Sequence, residues 1–303
     1  MELHTLGVNG GYTQQDVTEV AKVFTGWTLR EPRKGGDFEF NARKHEPGLK
    51  EVLGHKIKSD GEDEGRQVLH LLAHHPSTAR FISTKLAQRF VSDDPPPALV
   101  DEMAKKFESS GGDIRELLRT LFRSPEFWAP QTYRAKVKTP LEFIASAVRA
   151  TGADVQNAMP LVQNLNQMGM PVYGSQPPTG YSMKAETWVN SAALLNRMNF
   201  ALALTAGRVP GLSVDLRQLL ATYETSPDKQ PSQPYTPTDP DAVLERVERA
   251  LLAGDVSRQT HDTLEKQLQD PKVTRRVLDD PSRPPDVGVI AGLILGSPEF
   301  QRR

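Results

Sequence analysis

Four polar side chains crowd the turns of the first 50 positions, and their types are those of acid–base hydrolysis: His4, Asp16, His45 and Lys50. Aspartate and histidine can take a proton from a reacting group, and a fixed ammonium steadies developing negative charge. Trp27, just after Gly26, can wall such a site, and Arg89 can supply an anion contact. The reading requires convergence: the four side chains must share one pocket of about a substrate's width. Three of these residues also have a purely structural role open to them. Asp16 stands three residues after Thr13, which is capping-box spacing. His4 falls in the last turn of a helix, where an imidazolium suits the negative end of the dipole. Trp27 also reads as an aromatic at the edge of the core.

Arg89 draws attention through its helix. Ala79, Ile82, Leu86 and Phe90 form an apolar stripe, and at ~100° per residue Arg89 falls inside it, with Lys85 on its edge. A cation there needs a carboxylate or a ligand anion, unless its stem snorkels to water. A second surface is offered by the loop Gln176-Pro177-Pro178-Thr179-Gly180-Tyr181. Stiff loops at the mouth of a core helix often carry binding residues. An exposed apolar patch around Tyr173 and Tyr181 would mark a non-catalytic binding or scaffold protein.

His70 and His74 are four apart on one helix, a spacing that can present two imidazoles to one metal. A zinc site needs a third ligand, and Arg66 one turn earlier opposes a cation. His45-Glu46 is followed by Pro47-Gly48-Leu49, so the His-Glu-x-x-His protease pattern is absent. The pair reads as a helix-surface pair, and no metal is assigned. There is no cysteine, which removes disulfides, thiolate metal sites and cysteine nucleophiles together. Gly-x-Ser-x-Gly, Walker A and Gly-x-Gly-x-x-Gly patterns are also absent. A net charge of −1 gives no global basic surface for nucleic acid, so none is expected as a partner. Arg134, Lys136 and Lys138 read as solvated loop cations. No apolar run is long enough to span a membrane. No cofactor, protein partner or oligomeric state can be assigned.

The elements that must position these residues are mostly helices. Residues 1–6 read as the last turns of a helix stopped by Gly7. Thr13 caps a helix ending at Gly26. Phe38 and Phe40, then Val52, Leu53 and Ile57 around Gly54, predict one small β-hairpin over about 37–58, with His45 and Lys50 in its long loop. Helices follow over 62–74, from Pro76 to about 92, from Pro97 to Ser109, from Asp113 to Phe122 and from Pro140 to Gly152. Residues 155–168 read as helical with a break near Pro160. The stretch from Glu186 to Gly207 is apolar nearly all round and so central. Ala192, Leu195, Leu202 and Ala206 share one side, with Asn199 on the apolar face in need of hydrogen-bond partners. A proline-rich loop at 226–240 precedes helices at about 241–253, 257–269 and 286–296. Ser124-Pro125-Glu126-Phe127 recurs as Ser297-Pro298-Glu299-Phe300, a helix-start punctuation used twice. The expected fold is therefore mainly α, one multi-helix domain with a small hairpin insertion.

Several stretches also carry a likeness. Glu2-Leu3-His4-Thr5-Leu6-Gly7-Val8, Gly11-Tyr12-Thr13-Gln14-Gln15-Asp16-Val17, Phe24-Thr25-Gly26-Trp27, and His75-Pro76-Ser77-Thr78-Ala79-Arg80-Phe81-Ile82 occur in order. Phe90-Val91-Ser92-Asp93, Ser124 to Phe127, and Pro177-Pro178-Thr179-Gly180-Tyr181 complete the set. Together they resemble the bacterial domain-of-unknown-function 1800 family over essentially the whole chain. The resemblance implies a longer parent with a helical N-terminal portion, so this chain corresponds to its C-terminal two thirds. It also implies export, since longer relatives often begin with a signal. The family pattern has His-Asp where this chain has His45-Glu46. It brings no accepted activity and no catalytic residues.

Overall fold

A computed structural model describes residues 1–221, 240–269 and 286–303. The expected proline-rich loop at 226–240 lies outside them apart from Pro240. The chain divides into two units, Met1–Ala129 and Pro130–Arg303. Both are mainly α, with small two-stranded antiparallel sheets.

In the first unit a π-helical turn, Glu2–Leu6, leads to α1 (Gln14–Val23). Thr13 and Asp16 form the reciprocal capping box their spacing predicts. The single hairpin expected over 37–58 is instead two. β1 (Trp27–Arg30) pairs with β2 (Asp37–Phe40), and β3 (Lys50–Val52) with β4 (His55–Ile57). Strand Asp37–Phe40 pairs backward because Trp27 then faces Phe40 and Leu29 faces Phe38, two apolar cross-strand pairs. Helices α2 (Glu62–Ala73), α3 (Pro76–Phe90), α4 (Pro97–Ser110) and α5 (Ile114–Arg123) follow close to their expected spans. Leu6, Val23, Val52, Ile57, Val68 and Leu72 bury one core that joins α1, the β3–β4 hairpin and α2. Each contributes ~1.5–3 kcal/mol by leaving water. A second core lies among α3, α4 and α5, around Leu99, Met103, Phe107 and Leu117.

The second unit holds α6 (Pro140–Ala150), α7 (Met159–Gln167), α8 (Ser191–Thr205), α9 (Leu216–Ala221), α10 (Pro240–Leu252), α11 (Arg258–Gln269) and α12 (Val287–Leu295). Residues 154–155, next to the expected helix over 155–168, form β5 (Asp154–Val155) against β6 (Leu212–Ser213). The helix begins only at Met159, with Pro160 in its first turn. α8 packs on α12, and a Cβ on Gly292 would lie 2.8 Å from Leu202 and Thr205 side-chain atoms. The buried face of α8 is Ala193, Arg197, Phe200, Ala201, Leu204 and Thr205. Asn199 is exposed, Leu195 is 60% exposed, and the buried charged residue is Arg197. Neither Ser-Pro-Glu-Phe copy starts a helix. Each closes one: Ser124 Oγ accepts from Phe127 N–H after α5, and Ser297 Oγ from Phe300 N–H after α12. Among the described residues no helix is long and apolar enough to cross a membrane.

Candidate functional site

His45 and Lys50 meet in the first unit, around a carboxylate from α2. Lys50 opens β3, and its side chain is 1% exposed. Its Nζ lies 2.7 Å from Glu64 Oε2, an ion-pair contact outside hydrogen-bond directionality, and 3.3 Å from His45 Nε2. It also donates to the Glu46 carbonyl. Glu64 is fully buried, and its Oε1 lies 3.3 Å from His45 Nε2 and accepts from Asp60 N–H. Burial pushes the Glu64 carboxyl up, but Lys50 and His45 together outweigh it and hold it below the usual carboxylate range.

The imidazole is fixed from behind. His45 Nδ1 lies 2.9 Å from the Thr25 carbonyl, so Nδ1 carries a proton and donates it there. A neutral ring then accepts from Lys50 at Nε2, and a charged ring donates Nε2–H to Glu64. Thr25 Oγ1 donates to Lys22 O and accepts from Glu46 N–H at 2.7 Å, which sews the 41–50 segment onto the end of α1. Gly26 permits the crossing: its φ is 85°, and a Cβ there would lie 2.8 Å from the Asn41 carbonyl. Trp27 closes the flank, edge-on to Phe24 and Phe38. Its ring lies where a Cβ on Gly65 would come within 2.3 Å. Every polar atom of His45 and Lys50 in this cluster is thus committed to an internal contact.

Asp16 belongs to a neighbouring feature. Its Oδ2 accepts from Thr13 N–H and Thr13 Oγ1, each at 2.7 Å. Its Oδ1 accepts from Leu53 N–H at 2.6 Å. The Thr13 hydroxyl and the Thr13 N–H, helped by the Leu53 N–H, hold its carboxyl below the usual range against the opposing effect of burial. The Leu53 bond has a reason. Leu53 and Gly54 form the two-residue turn of the β3–β4 hairpin, with φ of 52° and 75°. A leucine in the left-handed region costs ~1–2 kcal/mol, and Asp16 holds the strained turn in place.

That turn lines an open, polar cleft of about 460 Å³ with Asn9, Gly10, Gly11, Asp16, His75 and Ser77. His75 caps α3, its Nδ1 accepting from Ser77 N–H at 3.1 Å, so the neutral ring carries its proton on Nε2. Ser77 Oγ donates to Gly10 O. The hydroxyl is therefore not paired with the imidazole as a nucleophile with its base would be. What the cleft offers a ligand is a fixed negative charge, an imidazole N–H and several hydrogen-bonding groups.

The other expected residues belong to other elements. His4 is exposed on the opening π-helical turn. Arg89 is half-buried in the last turn of α3. Tyr181 is in the second unit, where its hydroxyl donates to Pro171 O at 2.6 Å and its ring lies 6.1 Å from Trp188. Tyr181 therefore braces its loop, while Tyr173 stands fully exposed with φ of 56°. His70 and His74 stack at 4.1 Å on an exposed helix face, and among the described residues no cluster of three or more metal-binding side chains occurs. Sequence reasoning missed Glu64 and His75. Glu64 sits in an acidic first turn that helix-dipole chemistry already explains. His75 precedes the Pro76 that opens α3, and that cap position was its one legible signal.

A model of a family described as a protein of unknown function, DUF1800, matches residues 1–302. No curated protein and no solved structure matches the chain.

Proposed function

The chain belongs to the DUF1800 family of proteins of unknown function, and from that premise we propose that its first unit is a binding module for a small polar ligand. One observation carries the reading. Two stretches on which the family likeness rests, Gly11 to Val17 and His75 to Ile82, contribute Gly11, Asp16, His75 and Ser77 to one open polar cleft. The hydrolase reading finds less support. A general base needs a pKa near the working pH and a nitrogen or oxygen that can reach the substrate; the Asp16 carboxyl is held below the usual carboxylate range by its hydrogen bonds, and both His45 ring nitrogens meet internal partners. The fixed Asp16 charge favours ligands rich in hydroxyl or ammonium donors. We set this binding in the cell envelope on the family likeness alone, and recovery of the protein in the cytoplasmic fraction of its source cells would refute that part.

The test is a thermal-shift and NMR titration of the chain against sugars, amino acids and polyamines. A ligand at about 100 times its Kd adds ~2.7 kcal/mol of stability. His75→Asn keeps a good N-cap while removing the imidazole, so it should fold normally and bind several-fold more weakly. Turnover of an ester, amide, phosphoester or glycoside by the native chain, abolished in His75→Asn, would establish the hydrolase instead.

A further inference from the structure

The cations expected to be solvated at residues 134–138 are not. Arg134 contacts Asp255 through both its backbone carbonyl and its carboxylate, and Lys136 is buried, its Nζ donating to Met183 O at 2.8 Å. Lys138 is half-buried, and among the described residues its ammonium meets no hydrogen-bond acceptor. It lies instead 4.0 Å over the face of Phe300. The backbone around it is hydrogen-bonded on both sides. Lys138 N–H donates to Gln301 O, Arg303 N–H to Lys136 O and Lys136 N–H to Arg303 O, a short ladder between residues 136–138 and 301–303.

This ladder and one face of α6 border an open cavity of about 560 Å³. Glu142, Ser146 and Arg149 recur on that face at helical spacing, and Lys138, Phe300 and Arg303 complete the walls. Three cations thus face the cavity against one carboxylate. That carboxylate is engaged: Glu142 Oε2 accepts from Thr139 N–H as a helix cap, and Oε1 lies 3.0 Å from Arg303 Nε. Behind the wall the fully buried Arg197 guanidinium adds positive potential. It donates to Lys138 O at 2.8 Å and to the Gln301 side chain, neutral acceptors both. A half-buried ammonium in such surroundings lacks its counter-charge.

We propose that the cavity between α6 and the 300–303 segment binds a soluble small molecule through a phosphate-type oxyanion, with Lys138, Arg149 and Arg303 as its ligands. The volume suits a compact organic phosphate rather than a bare ion alone. Arginine supplies forked donors for the oxyanion and lysine a point charge. Lys138 is primed for it: burial first, then the charges of Arg134, Arg303 and Arg197, only partly offset by Glu142, push its ammonium down to about 8. A bound anion relieves that frustration.

The experiment is isothermal titration of the whole chain with inorganic phosphate and with glycerol phosphate, ionic strength held constant with chloride. Saturable binding is expected near neutral pH. It should weaken by at least about tenfold, or ~1.4 kcal/mol, in Lys138→Met and in Arg149→Gln. Arg149 is exposed, so its variant keeps the fold and guards against a misfolded Lys138→Met. Binding should also weaken between about pH 7 and about pH 9.5, as Lys138 loses its proton, although phosphate gains charge over that range. Unchanged binding in both variants overturns the proposal. Capture on phosphatidylglycerol vesicles without binding of either soluble phosphate overturns it in favour of a lipid headgroup.

Discussion

Replacing Glu64 by leucine should be the most damaging single change in the first unit. At 2.7 Å the Lys50–Glu64 attraction is ~6 kcal/mol gross, taking an effective dielectric of about 20. Most of that is offset by the cost of drying both ions, so the pair adds little over an apolar pair. Removal of one member is different, because Lys50 stays buried with its charge uncompensated, a loss of ~3–5 kcal/mol. Urea unfolding of the full chain measures it, with amide exchange over residues 50–57 assigning the transition to this unit. Lys50→Met in the Glu64→Leu background should then recover most of the loss, since the buried charge is gone. The acid limb follows from the lowered Glu64 carboxyl. Its stabilising contribution is complete above the ordinary glutamate value of about 4.3, and is lost as pH falls through the folded value. The double variant should lack that slope. A loss below about 1 kcal/mol for Glu64→Leu, within the range of exposed pairs, would refute the buried-charge argument.

Gly65→Ala should destabilise by ~1–3 kcal/mol in the same assay, because its Cβ would meet Trp27 at 2.3 Å, whereas helix propensity alone predicts a gain of ~1 kcal/mol. Asp16→Ala removes the Asp16 half of the α1 capping box and the support of the Leu53 turn, and should cost about 2 kcal/mol by thermal or chemical unfolding. In the second unit, hydrogen bonding to buried Glu248 raises the pKa of His261, against some desolvation. Its contribution is complete below the ordinary histidine value of about 6.5 and is lost as pH rises through the folded value. His261→Asn should flatten that alkaline decline in a pH series of unfolding midpoints.

Features written in local spacing could be read from the chain. Thr13 with Asp16, Pro76, Pro97, Asp113 and Thr139 with Pro140 each mark a helix start, because caps are decided within one turn. Strand pairing was harder, since Phe38 and Phe40 alternate identically whichever neighbour they face, and register is a tertiary choice. The rotation of α8 was illegible for a different reason: a helix without a polar face has no phase to read. Its lone arginine was the available clue, and Arg197 proved to face the core. At the site, His45 and Lys50 stood out by type and meet, yet their partner Glu64 looked like one more acidic residue in a first turn. Only the fold separates it from Glu62 and Asp63.

The burial of Lys50 also makes it a clock. Amine-reactive reagents attack only a neutral, solvent-reached amine, and this one is enclosed by Glu64, His45 and the Glu46 carbonyl. Its modification must wait for the 41–50 segment to lift from α2. The labelling rate of Lys50, divided by that of an exposed lysine such as Lys44 or Lys58, therefore reports the fraction of time this region stands open. A ligand that binds the neighbouring hairpin turn only while this region is closed will slow that clock, whether or not it touches the lysine.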